Sequence, residues 1–329
     1  METRSGFKGI IVIVLALGLP ACIPGVNSSP ELTPVTLQLS FSHQAEFAGF
    51  YAADQQGYYA EEGLAVSFIE GGPEIDFIAP VVNGSAQFGV AQPPDLILAR
   101  AAGKPVRSIA VIYRHSPIVF FALADSGIMR PQDFVGKKIR SVTTTDLTLQ
   151  AMMTKVGISS DQYEAVYLPS ELAQFIAGEV PVWSGFLNVF ALEVQRAGYE
   201  INIIYPEDYG IHFYGDVLIT TDDLIANNPQ LVQRFTRATL KGWTYAVENP
   251  EMVGTIVQKY KQDADVGLEV ARMAASIPLV NTGEDFIGWM KPELWEGMEQ
   301  TLREQEVLTD SLDVRQVYTL QFLEEIYGE

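Results

Sequence analysis

The chain is 329 residues long, 48% hydrophobic, and carries a formal net charge of −20 from 21 basic and 41 acidic residues. That length and apolar content allow two domains with cores of their own, and the acid surplus argues against nucleic-acid backbones and anionic membrane surfaces as partners. A single cysteine, Cys22, excludes an internal disulfide and any cysteine-built metal cluster.

In chain order, Arg4 and Lys8 precede an apolar run from Ile10 to Leu19, too short to span a bilayer and flanked like a signal peptide. The run ends in Leu19-Pro20-Ala21-Cys22, and a small residue just before a lone cysteine resembles the bacterial lipobox. That resemblance implies that residues 1–21 are a lipoprotein signal peptide and that Cys22 becomes the first residue and carries lipid. A plain secretory signal cleaved nearby is the alternative. Losing residues 1–21 removes Glu2, Arg4 and Lys8, a net +1, which leaves about −21. Residues 22–34, rich in Pro, Gly, Asn and Ser, read as a flexible tether.

Val35, Leu37 and Leu39 alternate as a strand. Phe47, Phe50, Tyr51 and Tyr58, at i, i+3, i+4 and i+11, put one apolar face on a helix that Gly57 and Gly63 punctuate. Leu64, Val66 and Phe68 then alternate as a second strand before Gly71-Gly72-Pro73 turns the chain. In such a βαβ unit the loop leaving the first strand lies at the carboxyl edge of the sheet, where open α/β sheets bind small ligands. Residues 73–83 read as a helix, and Ala86, Phe88 and Val90 as a strand. Gln92-Pro93-Pro94-Asp95 starts a helix that ends at Gly103, and residues 106–113 are an apolar strand. This alternation predicts a mostly parallel, doubly wound sheet. Farther on, a short helix within 127–137 feeds a strand over 138–142, and Thr143 to Asp146 leads into a helix through Met153. A second βαβ series runs to about Tyr205, and residues 213–218 return the chain to the first lobe. From Asp222 the chain is helical, with Leu231, Phe235, Ala238, Gly242 and Tyr245 on one face of the segment 230–248. Trp243, Trp289 and Trp295 read as packing.

Gly49, Tyr51, Ala53, Gly57-Tyr58-Tyr59, Glu62-Gly63-Leu64 and Val66 follow the pattern GxYxA…GYFxxEGLxV, and Gly127-Ile128, Pro131, Asp133-Phe134 and Gly136 to Ile139 follow a second motif. With gaps, most of residues 35–255 resembles the ABC-importer substrate-binding proteins of the thiamin-precursor type, a family with a riboflavin-binding branch. The resemblance implies a two-lobed periplasmic-binding-protein (type II) fold, each lobe a mostly parallel sheet flanked by helices. Residues 35–116 and 217–329 would form lobe I, and 117–216 lobe II. It also implies a position at the cell membrane on the extracytoplasmic side, held by lipid on Cys22. The partners would be the permease and ATPase subunits of an importer, with no nucleic acid and no cofactor.

A cleft between the two carboxyl edges is where a small ligand would sit, and closure of the lobes around it is a known motion of binding proteins. The loops aimed there contribute His43 and Phe47, then Gln92, then Tyr113 at the crossing; the second lobe adds Thr144, Thr145, Trp183, Asn188 and Tyr209. Phe47, Tyr113, Trp183 and Tyr209 suit a flat heteroaromatic ligand by stacking, with core packing as the other reading of each. Gln92 and Asn188 suit ring nitrogens, and the two threonines, at a helix N-terminus, suit a polyol chain. A third motif of this family, roughly G-[FY]-x-N-E-P, appears as Gly185 to Phe190, with Val189 and Phe190 in place of the acid and the proline. In aminopyrimidine binders a carboxylate in this neighbourhood accepts from the ring's amino group, so its loss points to a larger neutral ring, riboflavin. A thiamin-precursor pyrimidine (hydroxymethyl- or formylaminopyrimidine) is the alternative. A sulfonate- or nitrate-type anion comes last, with Arg114 as its pair unless that residue serves a structural salt bridge. The three histidines, His43, His115 and His212, come without the cysteine-rich iron motif of the related pyrimidine synthases. No Gly-x-Ser-x-Gly, His-Glu-x-x-His, Walker or metal-ligand spacing is present, so the sequence predicts a binder rather than an enzyme.

Overall fold

The computed structural model describes residues 1–3, 6, 9, 31–72, 75–169, 171–309 and 312–328, the side chains of Thr143 and Thr144 excepted. Residues 32–329 form one compact unit, which carries every element below, and residues 1–31 are a second unit. Cys22 and most of the signal and tether lie outside the described residues.

Two sheets share one plan. In the first lobe, β1 (Thr33–Gln38), β2 (Leu64–Ile69), β3 (Phe88–Ala91) and β4 (Val106–Val111) combine with a late strand, β10 (Val217–Thr221), in the order β2-β1-β3-β10-β4. The second lobe contributes β5 (Ile118–Leu123), β6 (Lys138–Ser141), β7 (Glu164–Tyr167), β8 (Trp183–Phe186) and β9 (Ile201–Ile204), and β10 returns to the first. β1 runs parallel to β2 and β3, while β10 is antiparallel to both its neighbours. In the second lobe β5 is antiparallel to β8 and β9, and β6 is parallel to β7. A bridge from Ile139 to Val182, with the Arg140 N–H on the Val182 carbonyl at 2.9 Å, joins the two pieces into the order β7-β6-β8-β5-β9. In each lobe four strands share a direction and the strand arriving from the other lobe opposes them. This is the mostly parallel, two-lobed architecture the sequence predicts.

The central strand β3 is buried at every position, as befits a strand covered by helices on both faces. Under it, the helix Pro229–Glu248 crosses the helix Ala48–Gln55. Phe235 of the longer helix stacks on Phe88 with ring centroids 3.8 Å apart, and Tyr59 also stacks with it at 5.3 Å. One continuous core runs from the first sheet into the C-terminal helices, and includes Trp243 and Trp295. A smaller cluster, with Phe121, Phe175 and Trp183, sits in the second lobe. Among the described residues no helix is long and apolar enough to cross a membrane.

Two expected elements differ. The helix that begins at Ala48 ends at Gln55, because Gly57 takes a left-handed φ of 79° and resets the register. Tyr59 is therefore the buried ring of the next turn, and Tyr58 lies half-exposed with the Lys241 ammonium 4.6 Å from its ring. The helix expected over 73–83 is confined to Ala79–Val82, since the Asp76 carboxylate accepts from the N–H groups of Ile78 (3.0 Å) and Ala79 (2.9 Å) and starts the turn there. Pro73 and Glu74 lie outside the described residues.

Candidate functional site

β3 delivers Gln92 to the carboxyl edge of the first sheet, where Pro93 and Pro94 open the helix Pro93–Ala101. β6 does the same for the helix Thr143–Lys155 in the second lobe. Between the two helix starts lies a cavity of about 310 Å³. Gln92, Pro94, Asp95 and Leu98 wall it from the first lobe, and Asp146, Leu147, Thr148, Gln150 and Tyr167 from the second. Ser116, Ile118, Phe213 and Tyr214, on the two stretches that cross between lobes, complete the lining along with Val307. An adjoining cavity of about 160 Å³ shares Ser116, Ile118, Thr148 and Phe213 and reaches His115 and Glu207. The Tyr214 hydroxyl accepts from the Lys291 N–H at 2.8 Å, which fixes its ring against the cavity.

Three groups of this lining, Gln92, Asp95 and Asp146, present acceptor oxygens. The Gln92 Nε2 donates to the Asp216 carboxylate, which leaves its Oε1 without a donor among the described residues. Asp216 in turn is hydrogen-bonded to Glu46; burial pushes both carboxyls up, Asp216 furthest because the charge of Glu46 adds to its desolvation. Asp95, half-buried in the first helical turn, is pushed up to about 6 by burial and then by the charge of Asp76. No described residue donates a hydrogen bond to it. Asp146 accepts from the Ser141 Oγ (3.1 Å) and the Gln150 Nε2 (2.9 Å), and also bonds to Tyr167. In the adjoining cavity, the His115 Nδ1 meets Glu207 at 2.8 Å, a contact that raises the imidazole pKa.

Of the nine ligand candidates taken from the sequence, Gln92 lines this cavity, seven lie elsewhere, and the Thr144 side chain is not among those described. Phe47 is wholly inside the first-lobe core, and Trp183 is inside the second-lobe core with the Arg140 guanidinium 5.0 Å from its ring. Trp183 is the first residue of β8 and packs on Phe175, at the amino end of the strand and not at its carboxyl edge. Tyr113 is fully buried and its hydroxyl reaches the Ser276 Oγ at 3.2 Å; Asn188 donates to the same oxygen at 2.8 Å, so the pair ties the second lobe to the helix Val266–Val280. Thr145 caps its own helix, accepting from the Val142 N–H at 3.1 Å, and bonds Ser184 at 2.8 Å. The Thr144 side chain lies outside the described residues, though its backbone is in the same first turn. His43 places its Nδ1 2.6 Å from the Tyr51 hydroxyl, beside Tyr260. Tyr209 ends the half-buried turn Pro206–Tyr209. Arg114 is the structural salt bridge, with its Nη2 2.5 Å from Asp285 and its Nη1 2.8 Å from Thr282.

Asp95, Asp146, Tyr167 and Tyr214 were not singled out from sequence. Two of them carried a signal, because each acid stands in the first turn of a helix that follows a strand of a parallel sheet. Across the lobes, Arg272 holds Glu269 at 2.6 Å and Glu193, from the second lobe, at 2.5 Å; Glu269 also accepts from the Ala45 N–H at 2.6 Å.

Two lobes on this strand plan, with a ligand-sized cavity between helix N-termini, define a periplasmic binding-protein fold. The periplasmic aliphatic sulphonate binding protein SsuA of Escherichia coli shares it, with a TM-score of 0.71 and 16% identity over 88% of this chain and 92% of that one. The NMT1/THI5-like family model matches residues 44–253, and the chain belongs to that family. The riboflavin-binding protein RibY of Chloroflexus aurantiacus is 26% identical over 98% of this chain and 98% of its own. The formylaminopyrimidine-binding protein of Halalkalibacterium halodurans is 28% identical over 88% of this chain and 94% of its own. Proteins named 4-amino-5-hydroxymethyl-2-methylpyrimidine phosphate synthase also match, that of Legionella pneumophila at 24% identity over 88% of this chain and 92% of its own. Fold, cavity and family together make the chain a substrate-binding protein of the NMT1/THI5-like family.

Proposed function

We propose that this chain is the extracytoplasmic substrate-binding component of an ABC importer, tethered to the membrane by lipid on Cys22, and that it captures riboflavin. The observation that carries the ligand is the cavity between the lobes: about 310 Å³, continuing into a further 160 Å³, with Phe213, Tyr214 and Tyr167 beside two carboxylates and two amides. Space on that scale suits a ligand of drug size better than a single ring. The isoalloxazine would lie against the aromatic side chains, its imide N–H facing Gln92, with the ribityl hydroxyls donating to the acids. The relative named as a riboflavin-binding protein, matched over nearly the whole of both chains, supports the same reading. A ligand bound to both lobes favours the closed form by its differential affinity for that form, and closure is what a permease would read.

A thiamin-precursor pyrimidine is the second reading. The missing acid at Val189 no longer argues against it, because Asp95 and Asp146 offer carboxylates to an amino group from two other places. An anion is disfavoured by those same carboxylates and by the engagement of Arg114 with Asp285. The binder reading is preferred over an enzyme because two relatives matched over most of their length are named as binding proteins.

The protein, stripped of ligand by unfolding and refolding, is titrated with riboflavin and separately with hydroxymethyl- and formylaminopyrimidines, following flavin and tryptophan fluorescence. Saturable flavin quenching at low micromolar concentration or below, with no response to the pyrimidines, is the expected result. Tight pyrimidine binding without flavin quenching would replace the ligand and leave the transport role in place.

A further inference from the structure

We propose that Asp95 and Asp146 make the cavity selective for an unphosphorylated ring-alcohol and against its phosphate monoester. This inference rests on the reading of the cavity as a site for such an alcohol and goes one step further, to the form of the ligand that is admitted.

A phosphate monoester carries about −1.5 to −2 charges at neutral pH, and binding proteins ordinarily receive such a group at the N-terminus of a helix, where free N–H groups and the helix dipole face it. Two helix N-termini face this cavity, and each has a carboxylate in its first turn. In the helix Pro93–Ala101 the first two positions are prolines, which have no N–H to give, and the next residue is Asp95. In the helix Thr143–Lys155 the first turn holds Asp146, whose carboxylate already stands at the positive end of the dipole and is held there by Ser141 and Gln150.

The basic groups nearby are engaged elsewhere. Arg100 and Arg107 both bond Asp222, Lys104 lies 3.7 Å from Asp76, Arg114 is bound to Asp285, and the His115 imidazole is matched by Glu207. Asp95 is the opposite case: a half-buried carboxyl in the cavity wall to which no described residue donates. A donor on the ligand can take the place of water on such a group, and a hydroxyl brings one while a phosphate dianion brings none. Specificity of this kind comes as much from repelling the wrong form as from holding the right one.

The test measures dissociation constants for riboflavin and for riboflavin 5′-phosphate, by flavin quenching at pH 7.5, on the wild type and on Asp95→Asn, Asp95→Lys and Asp146→Asn. The wild type is expected to bind the ester at least about 30-fold more weakly than the alcohol. Asp95→Asn narrows that gap roughly 3- to 10-fold, by weakening the alcohol as well as improving the ester, and Asp95→Lys narrows it further. Asp95→Asn is isosteric and breaks no hydrogen bond among the described residues, so its fold is retained, and Asp146→Asn gives the same reading from the other lobe. Wild-type constants within about 3-fold of each other, or a gap untouched by all three substitutions, would overturn the selectivity while leaving the cavity as a flavin site. If neither flavin binds, the ligand assignment falls and the selectivity falls with it.

Discussion

Gly242→Ala is expected to lose about 3 kcal/mol of folding stability, the upper end of what an overpacked core methyl does, and to lower Tm by roughly 5 °C. A Cβ at Gly242 would overlap the Gly49 carbonyl oxygen and come within 2.6 Å of the Ala53 Cβ. Both partners belong to the helix Ala48–Gln55, so the clash is with backbone rather than with a side chain that can swing away. The contact is mutual, since a Cβ at Gly49 would come within 2.5 Å of the Trp243 Cδ1. Two glycines thus let the first helix and the longest helix touch at their backbones, and this crossing holds the first sheet's loop in place. Gly297→Ala is the control. It lies in the exposed part of the helix Pro292–Glu304 with nothing within 4 Å of the added carbon, and alanine there should stabilise by about 0.5–1 kcal/mol through the unfolded chain. Thermal or urea unfolding of the three proteins decides it; a Gly242→Ala protein as stable as wild type would show that the crossing is looser than described.

Arg272→Met should be worse still, at about 3–5 kcal/mol, because it strands a buried carboxylate. Glu269 is 3% exposed and has the Arg272 guanidinium and the Ala45 N–H as its partners, while the other arm of the guanidinium reaches Glu193 across the lobes. Adding Glu269→Gln removes the uncompensated charge while keeping an oxygen for the Ala45 N–H. The double variant is therefore expected to recover about half or more of the loss, since replacing both members of a buried pair is far milder than removing one. Urea unfolding of the single and double variants reads this directly, and equal losses in both would mean that the charge was never the issue. Because Glu193 belongs to the second lobe, the single variant should also bind ligand more weakly.

Much of the fold was legible in the chain, because its cause is local. Alternation at Val35, Leu37 and Phe88, prolines at helix starts and a left-handed glycine at 57 act over a few residues, and a reader of the sequence can weigh them. The site was less legible. Trp183, Phe47 and Tyr113 look like ligand-stacking rings in sequence, but a strand end can turn its aromatic inward or outward, and the packing of the lobe that decides this is not local. Asn188 kept a family position, yet its amide joins the lobes through Ser276, a residue 88 positions away. Conversely, Asp95 and Asp146 read as ordinary first-turn acids, favourable to any helix dipole. Only when the two lobes face one another do they become opposite walls of the same cavity.

The most direct test of this account is the diffraction structure of a crystal grown with riboflavin. The isoalloxazine should occupy the cavity between the lobes, against Phe213 and Tyr214, with its polar groups reaching Gln92 and the carboxylates of Asp95 and Asp146. Flavin density bound to one lobe alone, or seated at the His43, Tyr51 and Tyr260 cluster with the cavity empty, would contradict it.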